Sequence, residues 1–344
     1  MLNLLAQFAP FFVLVVLGWA AARSRLLPLE GLGALTVFVL FFGLPAMLFR
    51  LGASGALHQP GLGWLLLSYG VGGVCLAAAG LWWANRRGLN RRDGGMVALV
   101  IAFPNTGFLG LPLLTGLMGP QAAGPVAATL IIDVLLLSSV CLAWAHSRPV
   151  AAEGTSQAEG DAAHDSAWQA ALTSLRGALR NPLLWSMGLG MAWAETGAAL
   201  PGVLDRTLTL LGQSATPAAL FTLGAILARA QGAARARAVA GVGAPRGETG
   251  PLAGLVVAKL GLHPVLVLAV GRGLQLAGLH LPDAGLWALV MAAALPSASN
   301  VSMLAERERA DVALVARIIL WTTALALISL TAWAQALGLG ASQA

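Results

Sequence analysis

Apolar residues in this chain run in long blocks separated by short polar stretches. Ten blocks stand out, at about 4–22, 31–49, 61–84, 95–118, 122–146, 182–199, 204–228, 252–277, 284–305 and 312–338. Each is close to the roughly 20 residues that carry a helix across a bilayer core. Two of the ten are interrupted: the fourth contains Phe103-Pro104-Asn105-Thr106-Gly107, and the ninth contains Leu295-Pro296-Ser297-Ala298-Ser299-Asn300. Proline lacks a backbone donor and clashes with the preceding turn, so it breaks a helix. Inside a bilayer, broken backbone survives only where protein or a watery cavity satisfies the freed groups. Matching breaks in two halves of a chain predict a transport site near the midplane.

Composition agrees with this pattern. Of 344 residues, 58% are hydrophobic and 10% charged, with mean hydropathy +0.80, against about 25% charged in soluble domains. The chain reads as an all-α polytopic membrane protein. The first block has no charge before Arg23, so it is expected to be a retained helix and not a cleaved signal. Cys75 and Cys141 both fall in apolar blocks and are expected to be reduced core residues.

The net charge of +6 does not point to nucleic acid, because its arginines are dispersed over many loops. Loops after odd-numbered blocks hold Arg23 and Arg25, then Arg86, Arg87, Arg91 and Arg92, then Arg148, Arg176 and Arg180, then Arg229, Arg235, Arg237 and Arg246, then Arg307 and Arg309. Loops after even-numbered blocks have only Arg50 and Arg206 nearby. Basic residues collect on the cytoplasmic side. The odd loops are therefore expected to be cytoplasmic, and both termini to lie outside the cytoplasm.

The halves also resemble each other. Pro10, Gly18 and Pro45 recur as Pro182, Gly190 and Pro217, all three at the same spacing along the chain; Leu27-Pro28 recurs as Leu200-Pro201. Two repeats of five spans each, an odd number, must be inverted relative to one another. The expected organisation is a first five-helix repeat over 1–146, a cytoplasmic linker over 147–180, and a second repeat over 181–340. The linker, rich in Ala, Gly, Ser and acids, is expected to be flexible, with a short amphipathic helix near 168–179. A second flexible loop is expected over 231–250.

Candidate chemistry gathers at the breaks. A helix restarting after Pro104 offers N–H donors and the positive end of its dipole to an anion. Asn105 adds a side-chain donor and acceptor, Thr106 a hydroxyl, and Gly107 room for a ligand to approach the backbone; the competing reading is a proline kink with Asn105 tying helices together. Ser297, Ser299, Asn300 and Ser302 follow Pro296, although serines can also bond back to their own helix. Asp133, mid-span in Leu130-Ile131-Ile132-Asp133-Val134, is either a proton or cation coupling residue or a structural partner of Asn105 or a serine. Lys259, with His263, either attracts a substrate carboxylate or snorkels to the inner headgroups. Arg272 has the same two readings nearer the outer end. Glu306 is expected at the inner rim, paired with Arg309. The eleven tryptophans often fall at block ends, among them Trp82, Trp144 and Trp333, as interfacial anchors do; Trp64, Trp185 and Trp321 are read as packing. No catalytic residue, metal site or cofactor is called for: there is no His-Glu-x-x-His motif and no pair of membrane aspartates for an intramembrane enzyme.

Phe103-Pro104-Asn105-Thr106-Gly107-Phe108-Leu109-Gly110-Leu111-Pro112-Leu113 and Gly43-Leu44-Pro45-Ala46-Met47-Leu48-Phe49 resemble the fourth- and second-helix motifs of the auxin efflux carrier family. Arg180-Asn181-Pro182, Lys259 with His263-Pro264, and the stretch from Leu295 to Glu306 resemble its bacterial, malonate-transporter-like branch. The resemblance spans nearly the whole chain. It implies ten helices in two inverted repeats, as in the bile-acid symporter fold, with spans 1, 2, 6 and 7 as scaffold and 3–5 and 8–10 as an elevator-like transport domain. It implies that Asn105 contacts a small organic anion at the crossover of Pro104 and Pro296, that lipid surrounds the protein in the cytoplasmic membrane, and that relatives form a homodimer. Coupling to H+ or Na+, or drive by membrane potential, is left open, with the absence of an acidic cluster leaning against sodium. A channel or a transport-fold sensor is the alternative to a carrier.

Overall fold

The computed structural model describes residues 2–146, 182–239 and 249–339. The expected linker over 147–180 lies outside them. The described chain is all helical, and its one β-bridge is isolated. The helices are α1 (Leu2–Arg23), α2 (Leu32–Ala53) and α3 (Leu62–Arg86), α4 (Arg91–Ala102), α5 (Thr106–Met118) and α6 (Pro120–His146). They continue with α7 (Pro182–Glu195), α8 (Gly202–Val239), α9 (Leu252–Leu276) and α10 (Asp283–Ala293), α11 (Asn300–Arg307) and α12 (Val312–Ala336). Six of them, α2, α3, α6, α8, α9 and α12, are long and apolar enough to cross a membrane, which makes this a polytopic membrane protein. The fourth and ninth blocks are the two that divide, into α4 with α5 and α10 with α11.

Start and stop signals are local. Asn90 caps α4 by accepting from the Asp93 N–H at 2.9 Å, and Asp311 caps α12 through the Leu314 N–H at 3.0 Å, as N-cap residues do. Gly61 and Gly119 sit at φ of 78° and 85°, where the chain turns into α3 and α6.

Two groups of helices pack mostly among themselves. In one, α1 lies along α8 and α7 along α2, with α2 also against α8. In the other, α3 packs on α4 and α9, α4 on α6 and α12, and α10 on α6 and α9. The first group is held by glycines. A Cβ at Gly18 would overlap the Phe221 carbonyl, and one at Gly190 would overlap the Phe49 carbonyl. One at Gly224 would overlap the Val15 carbonyl, and one at Gly52 would come 2.6 Å from the Met187 carbonyl oxygen. Both of these contacts in the α1–α8 crossing therefore have a counterpart in the α2–α7 crossing. Gly18 with Phe221 maps onto Gly190 with Phe49, and Gly224 with Val15 onto Gly52 with Met187, all at the spacing that relates Pro10 to Pro182. Lipid supplies no hydrophobic drive between helices, so such close backbone approach is what holds them together.

Several sequence expectations change. Residues 231–239 continue α8 as helix and are not loop; Gln231 accepts from Trp19 Nε1 at 2.9 Å. Cys75 is exposed, unlike buried Cys141, because it faces outward from α3. Trp64, Trp185 and Trp321 are exposed and are not core packing. Arg50 pairs with Asp205 at 3.0 Å, and Arg272 with Asp283 at 2.7 Å. The Glu306 carbonyl accepts the Arg309 N–H at 3.1 Å, and its carboxylate makes no ion pair among the described residues.

Candidate functional site

The two breaks meet. Phe103 leaves α4 in extended conformation (φ −97°, ψ 103°), and Pro104 faces Ser297 in an antiparallel bridge. Asn105 N–H donates to the Pro296 carbonyl at 2.8 Å, and Ala298 N–H to the Phe103 carbonyl at 3.0 Å. Each proline cancels one helical hydrogen bond, and the groups left over satisfy each other across the crossing. This is how irregular backbone persists at membrane depth. Ser297 N–H reaches Thr322 Oγ1 of α12 at 3.2 Å.

The centre so formed is polar and enclosed. Asn105, Thr106, Ser297 and Ser299 are all buried. Asn105 Nδ2, Thr106 Oγ1 and Ser297 Oγ have no hydrogen-bond partner among the described residues. A buried polar group left unpaired costs about 1–3 kcal/mol, so three together mark a place shaped for something other than stability. The Asn105 N–H is spent on Pro296 and the Thr106 N–H on the Pro104 carbonyl (2.8 Å). The free donors of this helix start therefore begin at Gly107, one residue later than the sequence implies. A Cβ at Gly107 would meet only Leu44 Cδ1, at 3.8 Å, so packing does not require glycine there. Asn300 is exposed at the first turn of α11 and is not gathered into the buried centre.

A second polar cluster lies beside it. Asp133, fully buried, accepts from the Tyr69 hydroxyl at 2.7 Å. Its second oxygen, Oδ2, has no hydrogen-bond partner, and Thr106 and Lys259 are its other electrostatic neighbours. Lys259 does not snorkel. It is fully buried, with Nζ 2.9 Å from His263 Nδ1 and 3.0 Å from the Ala293 carbonyl. That carbonyl belongs to the last turn of α10, where the break at Pro296 removes the usual helical donor. The ammonium takes its place, and this is what holds it at depth. The Tyr69 and His263 rings lie 5.8 Å apart, closing the cluster.

Asp133 and Lys259 each sit in a π-helical turn, Ile132–Leu137 and Ala258–Leu262, and Thr106 and Gly107 lie in a third, Thr106–Gly110. Such turns are rare and concentrate at functional sites. The turn at Lys259 leaves the Leu260 carbonyl to Trp333 Nε1 at 2.9 Å, so Trp333 braces this turn. Sequence reading passed over Tyr69. As the sole tyrosine of the chain, in the middle of an apolar span instead of at its end, it carried a signal: a buried phenol needs a partner.

A membrane protein whose two broken helices cross in a buried polar centre belongs, by that architecture, to the transport proteins. Residues 4–334 match the family described as membrane transport protein, the auxin efflux carrier family, and the chain belongs to it. It is 29% identical to a putative malonate transporter of Rhizobium meliloti, over 94% of this chain and 92% of that protein. It is 25% identical to an uncharacterized transporter of Methanothermobacter thermautotrophicus, over 93% and 94%. With the uncharacterized transporter YfdV of Escherichia coli K12 it shares 23% identity, over 88% of each chain.

Proposed function

We propose that this protein is a secondary carrier of small organic anions, with the anion held where the α4–α5 and α10–α11 breaks cross. The observation that carries this reading is the buried set of unpartnered polar atoms, on Asn105, Thr106 and Ser297, around a crossing held by two main-chain hydrogen bonds. Neutral donors at a helix start suit a carboxylate, because they and the helix dipole balance its charge without a permanent counter-ion. In this reading Asn105 grips the anion, Gly107 admits it to the backbone, and Ser297 and Ser299 complete the wall. The malonate named for the Rhizobium relative makes small carboxylates the first substrates to test.

The mechanism we infer is alternating access by an elevator movement in the cytoplasmic membrane, with both termini outside. Ten spans in two inverted five-helix repeats supply the two states, α1, α2, α7 and α8 serving as scaffold and the other helices as the moving body. Three features support it. The glycine contacts recur between the halves at one constant spacing. Gly43 and Ala215, related by that same spacing, touch each other, a Cβ at Gly43 falling 3.0 Å from the Ala215 Cβ; a residue meets its own mate only near a twofold axis. The arginines alternate by loop.

We assign Asp133 to proton coupling; the reading is supported by its burial beside Tyr69 and its neighbours Lys259 and Thr106, the last of which lies at the crossing. Saturable counterflow of malonate in proteoliposomes tests the carrier reading. Flux that neither saturates nor exchanges would show a channel instead and overturn it. An Asp133→Asn variant whose uptake keeps the wild-type pH dependence would return Asp133 to a structural role.

A further inference from the structure

Next to the crossover, α8, α11 and α12 line a cavity of about 430 Å³, within the ~300–1,000 Å³ range of small-molecule sites. Its polar lining is Arg229 and Gln231 from α8, Ser299 just before α11, Ser302 and Glu306 from α11, and Arg317 from α12. The cavity touches the crossover at Ser299, two residues from the Ser297 that pairs with Pro104. Several of these groups are already engaged: Gln231 accepts from Trp19 (2.9 Å) and the Ser302 hydroxyl donates to the Ser299 carbonyl (2.7 Å). Arg317 is not. Its Nε is buried without a hydrogen-bond partner, and none of the ion pairs among the described residues includes Arg317, Arg229 or Glu306. Two cations thus face one carboxylate across the cavity, leaving it positive. A guanidinium with a desolvated, unused N–H is suited to a second, incoming carboxylate, which it can take in its planar fork.

We propose that Arg317 forms a second anion-recognition position in this cavity. It takes one end of a substrate with two acidic groups and so separates dianions from monoanions, while Arg229, exposed at the cavity wall, draws the anion in. This assignment rests on the carrier reading of the crossover. By the arginine pattern, the cavity opens on the cytoplasmic side, so it also marks the path by which the anion is received from or released to the cell interior.

The test uses full-length protein in phosphatidylcholine nanodiscs, free of anionic lipid, with malonate and acetate as probes. Arg317→Gln is expected to weaken malonate binding at least tenfold while changing acetate binding less than twofold, with Arg317→Lys falling between. Equal loss for both probes, or none for malonate, overturns the assignment and leaves the crossover reading standing. If the wild type binds neither probe, the carboxylate reading itself falls and takes this one with it. Should Arg317→Gln not fold, Ser302→Cys in a Cys75→Ala background keeps Arg317 intact. Malonate is expected to slow labelling of that cysteine by a membrane-impermeant maleimide. Labelling slowed by added phosphatidylglycerol and not by malonate would make this a lipid site and overturn the proposal.

Discussion

The glycine crossings of α1 with α8 and α2 with α7 differ in kind from the crossing of the two breaks. In the former, helices approach until carbonyl oxygens occupy the space a Cβ would need. In the latter, helices stop short, exchange two main-chain hydrogen bonds, and enclose side-chain atoms with no partner. One arrangement uses all available contact to fix geometry, the other withholds contact from three polar groups. The comparison teaches that full contact and withheld contact reside in different helices of this molecule, so they respond to different substitutions.

The largest effect is expected at the glycines. Gly224→Leu would drive a side chain into the Val15 carbonyl and the Trp19 N–H. Overpacking costs about 1–3 kcal/mol even where side chains can yield, and backbone yields less, so loss of the monodisperse protein on size-exclusion chromatography is expected. Gly52→Leu, at the matching position, should behave alike; if one is tolerated and the other not, the equivalence of the two crossings fails. Asn105→Ala comes next, with anion affinity expected to fall more than tenfold, about 1.4 kcal/mol or more, while the melting temperature stays within a few degrees. Asn105 Nδ2 has no protein partner to lose, so a large drop in melting temperature would place Asn105 with the rigid elements instead. Trp333→Phe removes the donor to Leu260 and should cost about 0.6 kcal/mol of stability, the usual worth of such a bond in a membrane, read from thermal unfolding in detergent. The smallest effect on folding belongs to Gly107→Ala, where a methyl group has room. Unchanged stability with a few-fold rise in the Kd for malonate is the expected result, and an unchanged Kd would remove the Gly107 backbone from the site.

Much of this was legible in the amino-acid pattern. Apolar blocks report membrane helices because the bilayer sets their length, and Pro104 and Pro296 report breaks because proline cannot donate. Their meeting was foreseeable only from the likeness of the halves. Three things were hidden. The fate of Lys259 depends on the Ala293 carbonyl, a backbone group from another helix. Asn300 follows the same proline as Ser297 but begins a new helix turn, which sends it to the exposed side. The π turns at Asp133 and Lys259 leave no mark in hydropathy, since adding a residue to a turn shifts register without changing composition.

The bridge between Pro104 and Ser297 has one more implication. Because its hydrogen bonds join amides and carbonyls, Asn105 with Pro296 and Ala298 with Phe103 hold it shut without any special side chain. The clasp is thus indifferent, as a joint, to nearly every amino-acid exchange at its own donors, whatever such an exchange does to the side chain's other roles. A new proline at 105 or 298 is the exception, for it would delete a donor. Whatever else shifts in the molecule, the two halves of the clasp are tied at the backbone and go together.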